Sequence, residues 1–142
     1  MFAGYSCNYV SGQGTRLGRG AEAKTLMWLL IVDDEAPLVH LLGQYLQRTG
    51  YQVDSCEDAA RALELVKANP GRYSVVVTDL ALPGMSGDEL IAQARTVAPE
   101  LKGVITSGYA YTPRYSDIVF LQKPFSPKAL VDVLALLAGP GR

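Results

Sequence analysis

Met27-Trp28-Leu29-Leu30-Ile31-Val32-Asp33 is the stretch that decides the fold. The apolar run is unbroken and ends in acids, because Asp34 and Glu35 follow Asp33. A strand with one wet face alternates apolar and polar residues. An unbroken run belongs to a strand covered on both faces, as in the middle of a parallel sheet. Downstream, Pro37 opens a helix with Leu38, Leu41, Leu42, Tyr45 and Leu46 on its inward face, and Gly50 stops it. Residues 51–55 alternate, which suits an edge strand. Asp58 caps a second helix with Leu63 and Val66 inward, and Asn69-Pro70-Gly71 breaks it. Residues 73–78 read as another buried strand. Ser86 and Glu89 form a capping box for a helix with Leu90, Ile91, Ala94 and Val97 inward, ended by Pro99. Residues 102–107 and 118–121 are the fourth and fifth strands, and Ser126-Pro127 opens a last helix carrying Leu130, Leu134 and Leu137. Strand and helix alternating in this way predict an α/β fold, a doubly wound five-stranded parallel sheet in the order 2-1-3-4-5.

Composition sets the outer limits. The chain has 142 residues, 49% hydrophobic and 19% charged, with a net charge of −1. That is one domain with an ordinary core, residues 27–142. Residues 1–26 hold five glycines and no apolar run, and read as a flexible N-terminal extension. Their Gly12 to Gly20 stretch lacks the Gly-Lys-Ser/Thr ending of a phosphate loop. No basic face is present to hold nucleic acid, and the longest apolar run is too short to span a bilayer, so neither a nucleic acid nor a membrane is an expected partner. Cys7 and Cys56 make no disulfide framework, which fits a reducing cytoplasm. His40, the single histidine, has no metal-ligand spacing and reads as structural.

The ends of the predicted strands carry the chemistry. Asp33 and Asp34 end the first strand, Asp79 ends the third, Ser107 ends the fourth and Lys123 follows the fifth. In such sheets ligands bind at the carboxyl ends of the strands. Carboxylates this close need a cation between them, and a hard oxygen site points to Mg²⁺. A metal, a nucleophilic carboxylate, a lysine and a hydroxyl together are what transfer of a phosphoryl group to an aspartate requires.

With those residues in place the chain resembles a response-regulator receiver domain, of single-domain or hybrid-kinase type. The matching pieces are Val32-Asp33-Asp34-Glu35, the run from Thr78-Asp79 through Pro83-Gly84-Met85-Ser86-Gly87, Thr106-Ser107-Gly108-Tyr109 and Lys123-Pro124-Phe125. They occur in family order. The resemblance implies a flavodoxin-like fold and a phosphorelay function without classical enzyme activity. It implies that Asp79 is the phosphoacceptor, with Mg²⁺ held by Asp33, Asp34, Asp79 and the Ala81 carbonyl. It further implies that Lys123 pairs with the phosphoryl group, that Ser107 and Phe120 switch, and that the Lys123–Pro124 bond is cis. The phosphodonor would be a histidine kinase or phosphotransfer protein, and the output a changed protein-binding surface. A homodimer is left open, as is the alternative of a phosphorylation-independent interaction module. Ala81 and Tyr109, two residues beyond Asp79 and Ser107, predict slow loss of the phosphoryl group. The first has no polar atom to orient water, and the second is bulky enough to shield the site.

One departure from the family is the short fourth crossover. Only ten residues, 108–117, join the fourth and fifth strands, and Pro113 disfavours a helix there. Val104, Ile105, Val119 and Leu121 are therefore expected to lose cover. The segment is expected to be mobile, with Tyr109, Tyr111 and Tyr115 offering a partner surface.

Overall fold

The computed structural model describes residues 27–138, so the N-terminal extension lies outside the described residues. Five parallel strands form one sheet: β1 (Trp28–Val32), β2 (Gln52–Cys56), β3 (Tyr73–Asp79), β4 (Lys102–Ser107) and β5 (Val119–Gln122). Their order is β2-β1-β3-β4-β5, as the alternation predicts. The helices are α1 (Ala36–Thr49), α2 (Ala59–Ala68), α3 (Gly87–Ala94) and α4 (Pro127–Ala138). After β3, the two-residue strands Ala81–Leu82 and Met85–Ser86 pair as a small antiparallel hairpin.

Period-two alternation divides the core into two layers. Leu29, Ile31, Val75, Val77 and Val104 lie in the layer that holds the inward residues of α1 and α4. Leu30, Val32, Val76 and Ile105 lie in the layer that holds those of α2 and α3. Both faces of β1, β3 and β4 are dry, which explains why Leu29 to Val32 carries no polar residue.

The helix ends follow local chemistry. Gly50 takes φ 110°, and the Gly50 and Tyr51 amides donate to the Gln47 and Leu46 carbonyls, a left-handed cap that suits glycine. The Asp58 carboxylate accepts from the Arg61 amide and caps α2, and Ser86 Oγ accepts from the Glu89 amide at 3.1 Å to cap α3.

Three packing expectations need correction. Leu41 is not inward but 54% exposed. The buried arc of α1 is Val39, Leu42 and Leu46, and at 100° per residue Leu41 lies roughly 130° from its centre. Val97 is exposed because α3 ends at Ala94. The tighter turns that follow turn Val97 outward and bury Ala98. Val104 and Ile105 are fully buried, and the missing fourth-crossover helix does not uncover them. No helix forms between β4 and β5, as the short segment requires, but Ile118 is buried there and Tyr111 packs on the same core layer.

β2 holds the edge position, yet Asp54 and Ser55 are buried. Asp54 is satisfied by the Tyr73 hydroxyl at 2.6 Å and the Arg72 guanidinium at 3.3 Å. Arg72 in turn lies 4.3 Å from the centroid of the Trp28 ring. Cys56 is a buried free thiol pushed up to about 12, chiefly by burial and then by the nearby Asp58 charge, so it stays protonated and inert at neutral pH.

Candidate functional site

The sheet delivers its reactive side chains to one end. Asp33 directly follows β1 and is 4% exposed. Its Oδ1 accepts from the Glu35 amide at 2.9 Å, which turns the chain toward α1. Its Oδ2 lies 3.0 Å from Lys123 Nζ. Asp34 is exposed at the mouth. Asp79 ends β3 with its side chain 15% exposed, and its Oδ1 accepts a long 3.4 Å bond from the Ala81 amide. The Leu80 amide donates to the Thr106 carbonyl and the Lys123 amide to the Ser107 carbonyl, each at 2.8 Å, so β3, β4 and the residue after β5 share one frame. The Lys123–Pro124 bond is cis, as the resemblance implies.

Asp33, Asp34 and Asp79 each offer one oxygen within 4.8 Å of the others. That spacing, with oxygen donors only, fits a small hard divalent cation, whose ligands lie on opposite sides of an ion at about 2 Å each. Ala81 follows, exposed, on the first strand of the hairpin, whose other residue, Leu82, is buried.

Charge in the site is unbalanced. Lys123 Nζ is shared by Asp33 at 3.0 Å, Glu35 at 3.2 Å and Asp79 at 3.6 Å. Burial pushes the Asp79 carboxyl above its usual range. The Lys123 charge opposes this without cancelling it, and Asp33 adds to it. For Lys123 burial alone lowers the pKa, but its bonds to Asp33 and Glu35 and the nearby Asp79 outweigh that and raise it.

Glu35 is the residue that the sequence assigned no role. It is the third acid of the run and closes on Lys123 from the solvent side. Ser107 is buried, and its Oγ accepts from the Tyr109 amide at 3.1 Å. Phe120 is half-buried and meets the Tyr111 ring edge-on, with centroids 6.3 Å apart. The Tyr109 ring is 83% exposed and does not cover the site, contrary to the shielding expectation. His40 is exposed on α1. Beside the acids opens a groove of about 870 Å³, lined by Asp34, Glu35, Lys123 and the apolar Pro37, Leu38 and Phe125.

Gly87 is required here for steric reasons. A Cβ on it would sit 2.6 Å from the Asp79 carbonyl oxygen, a backbone atom. At Gly71 nothing lies within 4 Å. Gly87→Ala is therefore expected to lower Tm clearly and displace the end of β3, whereas Gly71→Ala leaves Tm within a degree or two, about what a surface change does. Thermal melts of the two variants check this.

The model of the response regulator receiver domain matches residues 29–135 of this sequence. The chain belongs to that family. The receiver is 35% identical over 113 residues to the sensor kinase CckA of Brucella abortus, covering 75% of this chain but only 12% of that kinase. It is 30% identical over 112 residues to the response regulator receiver protein CpdR of the same species, covering 73% of this chain and 90% of CpdR. Among solved structures, the receiver domain from the hybrid histidine kinase CckA superposes with a TM-score of 0.72 at 26% identity, over 78% of this chain and 98% of that one. A response regulator receiver protein from Sinorhizobium medicae gives 0.72 at 27%, over 79% and 94%. The fold is thus the flavodoxin-like fold of receivers. No helix among the described residues is long and apolar enough to cross a membrane.

Proposed function

We propose that this receiver takes a phosphoryl group on Asp79 from the phosphohistidine of a partner kinase or phosphotransfer protein in the cytoplasm. The observation that carries the reading is the convergence of Asp33, Asp34, Asp79 and Lys123 within a few ångströms at one sheet end. An Asp79 oxygen attacks phosphorus as the phosphorus–nitrogen bond breaks, and the imidazole leaves and takes up a proton. In this reading Lys123 leaves Glu35 and meets a phosphoryl oxygen. Asp33, Asp34, Asp79 and the Ala81 carbonyl would hold Mg²⁺, which when bound supplies neutralising charge for the phosphoryl oxygens. Ser107 moves to hydrogen-bond the phosphoryl group, Phe120 follows, and a protein-binding surface changes. The groove with its apolar rim of Pro37, Leu38 and Phe125 gives a partner access beside the acids.

Incubation with a small phosphodonor and Mg²⁺, read by intact mass, tests the proposal. One phosphoryl group per chain is expected, and none when a chelator removes the metal. No uptake in Mg²⁺ would replace this reading with the phosphorylation-independent interaction module. The acyl phosphate is also expected to be long-lived, since the exposed Ala81 offers no polar atom to position water. Ala81→Asn should hasten its loss several-fold, measured as the decay of the phosphorylated mass; an unchanged decay rate assigns the lifetime to another residue.

A further inference from the structure

Glu35 stands at the N-cap position of α1, with φ −89° and ψ 92°, yet its carboxylate makes no capping hydrogen bond. A capping side chain accepts from the second or third amide of the helix. The second helical residue here is Pro37, which has no amide to give. The carboxylate turns to the site instead, where Glu35 Oε1 accepts from Lys123 Nζ at 3.2 Å. Lys123 Nζ also donates to Asp33 Oδ2 at 3.0 Å, and the nearer Asp79 oxygen stands farther off, at 3.6 Å. The ammonium is thus hydrogen-bonded to two acids at the end of β1, and Asp79 holds it least closely of the three.

The two hydrogen-bonded acids differ in freedom. Asp33 is buried, and its Oδ1 is already taken by the Glu35 amide at 2.9 Å, so its carboxylate is fixed. The Glu35 side chain is 59% exposed, so water replaces the lysine there at little cost. An ammonium has three donors and no acceptor. A phosphoryl oxygen on Asp79 gains one of those donors most easily at the expense of Glu35. We propose that Glu35 is a detachable counter-ion that restrains Lys123 and so sets how readily the receiver takes up a phosphoryl group. This rests on the phosphoacceptor reading. Glu35 is a positioning residue: it acts through Lys123 and not on phosphorus. Its length is what matters. An aspartate at this position would carry the same charge, but it falls one methylene short of Lys123 and has the length to cap α1 through the Leu38 amide.

Two measurements on the full chain in saturating Mg²⁺ test this. One is the rate of mass gain from acetyl phosphate. The other is the affinity for beryllofluoride, a phosphoryl mimic, read by fluorine nuclear magnetic resonance. Glu35→Asp, which keeps the charge, and Glu35→Gln, which removes it, should each raise both quantities by about threefold, the scale of a partly exposed ion pair. Glu57→Gln removes an exposed acid that follows β2 at the same end of the sheet, and should change neither. In a Lys123→Met background Glu35→Gln should have no effect, because the restrained group is gone. A gain in Glu35→Gln that Glu35→Asp does not share would assign the effect to general charge and overturn the counter-ion. A gain that persists without Lys123, or no gain in either variant, also overturns it and leaves the phosphoacceptor reading standing. An unaltered protein that neither gains mass nor binds beryllofluoride overturns both.

Discussion

Asp79→Asn is expected to abolish phosphoryl uptake and, in chelator at neutral pH, to melt at a higher temperature than the unaltered protein. Loss of uptake follows from the loss of the nucleophilic oxygen. The gain in stability follows from charge. Burial, with Asp33 adding to it, holds the Asp79 carboxyl above its usual range in the folded protein. A raised group contributes stability that is fully present below its unfolded pKa and is lost as pH rises through the folded value. At neutral pH the ionised carboxylate therefore weighs against folding, and the neutral amide removes that weight. The difference in Tm between the two proteins should shrink as pH falls below the ordinary carboxylate range, where both side chains are neutral. It should also shrink in Mg²⁺, which favours the ionised form. Calorimetric melts across pH, with and without the metal, check the sign. An Asp79→Asn protein less stable in chelator at neutral pH would mean that the Lys123 attraction dominates.

Lys123→Met is expected to act in the opposite direction. Its ammonium is the one cation within 4 Å of Asp33, Glu35 and Asp79 among the described residues. Removing it leaves the nearly buried Asp33 carboxylate facing Asp79 with no partner of opposite charge. Breaking a buried pair from one side costs about 3–5 kcal/mol, and the partial exposure of Lys123 places this site toward the lower figure. The loss should show in chelator and be largely recovered in Mg²⁺, because a divalent cation replaces the missing charge. Phosphoryl uptake should fall by about a hundredfold even with the metal, the scale seen when one charge-stabilising donor is lost. Denaturant melts and the rate of mass gain measure the two effects. A metal-independent loss of stability would assign Lys123 to packing and not to charge balance.

These opposite signs come from residues whose positions were legible in the sequence. Leu29 to Val32 could be nothing but a strand covered on both faces, and once β1 was central the acids after Val32 and the aspartate ending β3 had to meet. Topology puts Lys123 at the same end of the sheet, and its long side chain reaches past β4 to Asp79 and Asp33. What the pattern hid were contacts between elements. Leu41 belongs to an apolar run, and only the placement of α1 on the sheet chooses Val39 over it. Asp54 reads as a solvent-facing residue of an edge strand until Tyr73 and Arg72, distant in sequence, close over it. The forked pair between the Arg95 guanidinium and the Asp117 carboxylate spans twenty-two positions between a helix end and a coil, where no periodicity applies. The short crossover was legible in length and lack of helix, but not in how it covers the core. Ile118 is buried in the core layer that holds Ile105, and Tyr111 packs against it.

The measurement that bears most directly on the account is the chemical location of the phosphoryl group. Protein treated with a small phosphodonor and Mg²⁺ is reduced with borohydride, which converts an aspartyl phosphate to homoserine, and then digested and sequenced by mass. The account predicts homoserine at position 79 and nowhere else. Homoserine at position 33 or 34, or a phosphorylated chain in which Asp79 is unreduced, would contradict it.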